Sequence, residues 1–190
     1  MKNHTLLIIA LSLVIIMLLF HYLIKNQPTQ EEVEQMTNFV HHSTKLLGKE
    51  PADFELDLIN GTKLKLSDYL GKKIIIINFF AVWCQPCKME IPELNRYFDK
   101  IKNKDCIIIG IDAGDKLEQV LSFVTENKVK FIVGMDNDGS IMKKYNVESY
   151  PTTIVIGLDK KIKMYEIGAI SNADVTFDNL VKTQLNSIKK

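Results

Sequence analysis

Two cysteines three positions apart, Cys84 and Cys87, stand where an apolar run meets a polar one, in Asn78-Phe79-Phe80-Ala81-Val82-Trp83-Cys84-Gln85-Pro86-Cys87-Lys88-Met89-Glu90-Ile91-Pro92. A thiol in the first turn of a helix faces unpaired backbone N–H groups and the positive end of the macrodipole, which favour thiolate and lower its pKa. Cys84 has that place. Cys87, one turn on, can close a small ring with it and is shielded by the helix from outside thiols. The pattern suits thiol–disulfide exchange in which Cys84 attacks and Cys87 resolves. Pro86 fits a first turn, where a missing N–H costs little, and Trp83 gives the exposed sulfur an apolar wall. The same spacing also ligates zinc, but zinc needs two further ligands. The third cysteine is Cys106, and His4, His21, His41 and His42 all precede the motif. Redox chemistry, with no metal and no organic cofactor, is what these residues favour.

Such a pair has to be held in place, and the flanking sequence provides the elements. Residues 73–80 contain four consecutive isoleucines, the pattern of a central strand buried on both faces. After the helix that opens at the motif, residues 106–111 repeat that pattern, residues 116–127 read as an amphipathic helix, and residues 131–135 as a short strand. This alternation gives βαβ units and a parallel core. Upstream, residues 54–59 and 62–66 alternate apolar and polar around Asn60-Gly61, a strong hairpin signal, and residues 67–71 read as a short capped turn of helix. Downstream, Pro151 stands between a helix end and the apolar strand 153–156. Proline cannot occupy a central strand, so Tyr150-Pro151-Thr152 marks a turn or a bulge. Residues 157–161 turn the chain into a hairpin strand at 162–167, and residues 172–188 form a closing amphipathic helix. Cys106 opens an apolar strand and reads as a buried small hydrophobe. Asp112, Asp115, Asp136 and Asp138 follow strands and read as turn residues.

The run from Trp83 to Met89, with Pro92 eight positions after Cys84, resembles the active-site strand, loop and kinked helix of the thioredoxin superfamily. Three segments narrow the resemblance to the membrane-anchored TlpA/ResA-like branch, whose members act on disulfides outside the cytoplasm: Gly48-Lys49-Glu50-Pro51-Ala52-Asp53-Phe54, Leu66-Ser67-Asp68-Tyr69-Leu70-Gly71-Lys72 and Glu90-Ile91-Pro92-Glu93-Leu94. It covers roughly residues 46–188. The resemblance implies a thioredoxin-like α/β fold, with an N-terminal β-hairpin and a central mixed sheet flanked by helices. It also implies that Pro151 is cis and faces the cysteines, so that the backbone beside it pairs with an extended substrate peptide. Trp83, Gln85, Pro86, Tyr150 and Pro151 are then the substrate-binding residues.

One departure from the thioredoxin pattern matters. Thioredoxins carry a buried aspartate six residues before the first cysteine, where this chain has Asn78, and an amide exchanges no proton at ordinary pH. Glu90, three residues after Cys87 on the same helix, is the available carboxylate, and an acid there resembles the TlpA/ResA pattern. The expectation is a partly buried Glu90 with a raised pKa that manages the proton of Cys87; the alternative is an ordinary exposed helix glutamate. By resemblance the substrates are protein disulfides, the paired cysteines of apocytochrome c among the candidates, and a membrane thiol–disulfide carrier restores the dithiol. Three other readings compete. A peroxiredoxin-like peroxidase would place Thr or Ser where Ala81 stands; a copper chaperone would want Cys-x-x-x-Cys and a later histidine; a non-catalytic binding module would not need Cys84. Gln85-Pro86 does not fix the direction of electron flow.

Residues 5–24 are an uncharged, almost wholly apolar run of the length that crosses a bilayer as a helix. Lys2 precedes it, and Lys25 is followed by Glu31, Glu32 and Glu34, a bias that puts the amino terminus inside and the remainder outside. The run is long for a cleaved signal peptide, and Phe20-His21-Tyr22-Leu23-Ile24 offers no small-residue cleavage pattern. The expected organisation is a cytoplasmic start (1–4), a signal anchor (5–24), an extracytoplasmic tether (25–47) and a thioredoxin-like domain (48–190). His41-His42 in the tether point in different directions on a helix and read as solvated side chains. A formal net charge of +1 over 190 residues gives no reason to expect nucleic acid, and the domain is expected to be monomeric.

Overall fold

The computed structural model describes the backbone of residues 2–30, 45–101 and 106–188, with side chains from residue 11 to residue 184 within those limits. It divides into two compact units, Met1–His41 and His42–Lys190. Most of the tether, His41-His42 included, lies outside the described residues.

In the first unit, α1 runs Lys2–Lys25. Its large apolar side chains from Leu11 to Ile24 are all at least half exposed. Among the described residues no helix is long and apolar enough to cross a membrane; the start of the predicted span lies before the first described side chain.

The second unit is a seven-stranded mixed sheet in the order β2-β1-β5-β4-β3-β6-β7. Its centre is β3 (Ile74–Phe80), every residue of which is buried. It runs parallel to β4 (Cys106–Asp112), which runs parallel to β5 (Ile132–Met135), while β6 (Thr152–Ile156) and β7 (Ile162–Ile167) follow antiparallel on the other side. The predicted hairpin is β1 (Glu55–Leu58) and β2 (Lys63–Lys65), closed by an Asn60 side chain that accepts from the Thr62 N–H at 3.0 Å, with Gly61 at φ +82°. It adds antiparallel to β5 through β1, a pairing absent from the sequence reading. The turn at 67–71 is a 3₁₀ turn, Leu66–Asp68; Lys65 before it makes no side-chain cap, but Asp53 Oδ1 accepts from the Ser67 N–H at 3.1 Å.

Strand alternation divides the core. Ile74, Ile76 and Phe80 of β3 face a cluster with Ile91, Leu94 and Tyr97 of α2 (Gln85–Ile101), Val120 and Phe123 of α3 (Leu117–Glu126), and Phe177 and Val181 of α5 (Ala173–Ile188). Ile75, Ile77 and Phe79 face the opposite cluster, with Phe54, Leu66, and Ile141 and Tyr145 at α4 (Ser140–Lys144). Period-2 alternation places Asn78 on the same side as Ile76 and Phe80, under α2. The edges of the sheet are the three-residue β2 and the six-residue β7, the four-residue β1 and β5 lie between β2 and β4, and the long buried strands β3 and β4 form the centre.

Candidate active site

Cys84 directly precedes α2 and serves as its N-cap: its carbonyl accepts from the Lys88 N–H at 3.3 Å and its sulfur from the Cys87 N–H at 3.2 Å. A sulfur in this place takes up one of the donors that a helix start leaves unpaired, and the same donor stabilises thiolate. Cys84 and Cys87 form a disulfide, their Cα atoms 5.3 Å apart. Cys87 is 1% exposed and Cys84 4%. The expected open sulfur is therefore corrected: in the disulfide state Cys84 is nearly covered, and Trp83 is the group that stands out, 69% exposed. Trp83 meets Tyr150 edge to face, centroids 5.9 Å apart. Gln85 and Pro86 are exposed at the start of α2, and Pro92 lies inside the helix.

Tyr150-Pro151 is a cis peptide immediately before β6, as the resemblance implied, and Pro151 is buried with its carbonyl accepting from the Gly168 N–H at 2.8 Å. The Tyr150 hydroxyl donates to Met142 Sδ at 2.8 Å. The structure thus brings Trp83 and Tyr150 together beside the cysteines, from two segments 67 positions apart.

Glu90 is 1% exposed, so the exposed-glutamate alternative does not hold. One carboxylate oxygen, Oε1, accepts from the Ile170 N–H at 3.0 Å and the other, Oε2, from Asn78 Nδ2 at 3.0 Å. Burial pushes its pKa up to about 7; the two N–H bonds oppose that shift. Spacing on α2 puts it one turn beyond Cys87.

A second carboxylate escaped sequence reasoning. Asp112, read as a turn residue, is fully buried at the end of β4. Its Oδ1 accepts from the N–H groups of Gly114 (3.1 Å) and Asp115 (2.8 Å), which is turn chemistry, but its Oδ2 has no hydrogen-bond partner, and burial raises its pKa with the Asp115 carboxylate adding to the effect. Asp115 in turn accepts from the Val82 N–H at 2.9 Å, tying this loop to the residue before Trp83. Only its fully apolar strand context hinted at burial. Asp136 accepts from the Ile141 and Met142 N–H groups and fixes the start of α4. Cys106 is a buried free thiol whose pKa burial pushes up to about 12, the environment of an inert cysteine.

Residues 47–165 match the AhpC/TSA family. The thiol-disulfide oxidoreductase ResA of Bacillus thuringiensis subsp. konkukian (strain 97-27) is 37% identical over 116 residues, 61% of this chain and 66% of that protein, so the chain spans just under two thirds of that relative's length. ResA of Bacillus subtilis (strain 168) is 29% identical over 71% of this chain and 75% of its own. Among solved structures, a putative thiol:disulfide interchange protein DsbE from Chlorobium tepidum superposes with a TM-score of 0.66 at 25% identity, covering 72% of this chain and 96% of that one.

Proposed function

The chain belongs to the AhpC/TSA family, and from that premise we propose that it is a TlpA/ResA-like thiol-disulfide oxidoreductase of the thioredoxin superfamily that reduces protein disulfides outside the cytoplasm from a membrane anchor. The observation that carries the reading is the Cys84–Cys87 disulfide at the start of α2 with a buried Glu90 one turn behind it.

The cycle starts from the dithiol. The Cys84 thiolate, held by the Cys87 N–H and the helix terminus, attacks one sulfur of a substrate disulfide and expels the other as a thiolate, leaving a mixed disulfide. Glu90 takes the proton of Cys87, whose thiolate then attacks the Cys84 sulfur. The second substrate sulfur leaves as a thiolate and takes that proton from Glu90, the first is protonated from solvent, and the Cys84–Cys87 disulfide closes. The two electrons reside on the substrate, and a membrane thiol–disulfide carrier returns two more. Trp83, Gln85, Pro86 and Tyr150 form the surface on which the substrate peptide lies, and the backbone beside the buried Pro151 pairs with it. Candidate substrates are the paired cysteines of apocytochrome c before haem attachment, along with other envelope disulfides.

Anchoring rests on α1. A helix apolar on all sides finds a low-energy setting in a bilayer. The bias of Lys2 before the run and acidic residues after it sets the domain outside.

The test is the reduction potential of the Cys84/Cys87 pair in the full chain, held in detergent and equilibrated against defined thiol buffers. A value at or below about −220 mV supports a reductant; one near about −120 mV makes the protein an oxidant and removes the cytochrome reading. Protease accessibility of the domain in intact spheroplasts tests its side of the membrane.

A further inference from the structure

Glu90 is gripped by groups that suit a carboxylate. The Ile170 N–H addresses Oε1, and the Asn78 amide spends one hydrogen on Oε2 and points Nδ2 also at Thr153 Oγ1, each contact at 3.0 Å. Asn78 and Thr153 are register partners across β3 and β6, and Gly110 stands opposite Asn78 on β4, so no side chain from that strand competes for the amide. Asn78 is 1% exposed, Glu90 1% and Thr153 fully buried; water does not substitute for any of them.

The exchange cycle requires Glu90 to alternate between carboxylate and carboxylic acid. When it takes the Cys87 proton on Oε2, a hydroxyl hydrogen turned toward Asn78 meets the amide N–H donor against donor, and one turned away leaves Asn78 only the weaker acceptor of a neutral hydroxyl oxygen, while Oε1 faces the Ile170 N–H, which cannot accept. A buried donor left without an acceptor is costly, because it has given up its bond to water for nothing. Asparagine offers a way out that aspartate, the thioredoxin residue here, does not: its amide has a donor end and an acceptor end of nearly the same shape.

We propose that Asn78 is a positioning residue for the proton on Glu90, giving N–H to the carboxylate and, after a half-turn of its amide, carbonyl oxygen to the carboxylic acid, with the Thr153 hydroxyl reversing its own bond in step. In the second state Glu90 Oε2–H and Thr153 Oγ1–H both donate to Asn78 Oδ1. The pair thereby links the protonation of Glu90 to β6, the strand that starts directly after Pro151. The proposal rests on the proton-handling role of Glu90.

Among the described residues, no charged group faces Glu90 to drive this switch. β3 contributes Asn78, β6 Thr153, the segment after β7 the Ile170 backbone, and α2 itself Cys87; further along α2, Arg96 and Lys100 are engaged with Asp174 and Asp178 of α5.

The experiment combines thiol alkylation rates across pH with NMR of the Asn78 side-chain amide, on the full chain in detergent. In the reduced wild type, the alkylation rate carries, besides the step from the thiols' own ionisation, an inflection set by Glu90; the amide resonances are expected to shift with the midpoint of that inflection, and both changes to vanish in E90Q. N78L, similar in shape and unable to hydrogen-bond, removes both the donor to the carboxylate and the acceptor for the acid; because the bond to the charged form is the stronger, the inflection is expected to move up by at least half a pH unit, and T153V moves it the same way by less. An amide signal that stays constant through the inflection overturns the proposal, and because it needs no variant it does so even if N78L fails to fold. An inflection unmoved in folded N78L but lost in E90Q also overturns it while leaving the role of Glu90 standing. An inflection that survives E90Q removes the role of Glu90 itself and this proposal with it.

Discussion

Cys84 carries the attacking sulfur at the N-cap of α2, whereas Cys87 lies one turn inside at 1% exposure. Their roles should separate cleanly. C87S is expected to accumulate a mixed disulfide with a model protein substrate, seen as a thiol-sensitive adduct by mass spectrometry, and C84S to form none. Glu90 makes a second prediction through linkage. Its pKa is about 7 in the folded protein against an ordinary 4.5, so the native state holds the proton more tightly than the unfolded chain. The contribution of Glu90 to folding stability is therefore largest below about pH 4.5 and declines as the pH rises towards 7, by up to about 3 kcal/mol. Denaturant unfolding of the oxidised protein across that range should show the decline, and E90Q should flatten a large part of it. The remainder belongs to Asp112, whose carboxyl burial also pushes up. A profile identical in E90Q and wild type would remove Glu90 from the account.

At the scale of elements, β3 and α2 hold the cysteines, and the hairpin β1-β2 closes the far edge of the sheet. That edge depends on a close approach. A Cβ on Gly134 of β5 would come within 2.5 Å of Leu56 Cγ and 2.8 Å of the Asp57 backbone oxygen of β1. The backbone oxygen cannot swing aside as a side chain can, so G134A should push β1 off β5 and destabilise the domain by about 1–3 kcal/mol, read from the denaturant midpoint. The rate of disulfide exchange by the remaining folded protein should not change, because β4 and β3 stand between this edge and the cysteines. The surface pairs of Arg96 and Lys100 with Asp174 and Asp178 join α2 to α5, but exposed ion pairs contribute little. The apolar contact of Tyr97 with Phe177 holds the two helices more firmly: F177A should cost about 3–5 kcal/mol, far more than D174A.

For the molecule as a whole, the apolar α1 and the near-neutral domain suggest different environments for the two units. The full chain should remain with membranes through alkaline carbonate extraction, and a chain lacking residues 2–25 should be released by it while keeping its exchange activity. Release of the full chain would overturn the anchor.

The two cysteines, their helix-start setting, the buried central strand, the Asn60-Gly61 hairpin and the βαβ order are all visible in the sequence, because spacing, periodicity and turn chemistry act between near neighbours. Glu90 was a candidate by position alone. Tertiary structure decided that it is buried, since the Asn78 amide and the Ile170 N–H that grip it come from 12 and 80 positions away. It likewise decided that Cys84 is covered in the disulfide, that Trp83 leans on Tyr150, that Asp112 is a buried acid where the sequence suggested a turn residue, and that β1 pairs with β5. Burial and pKa depend on what the rest of the chain packs around a group, and no local pattern records that.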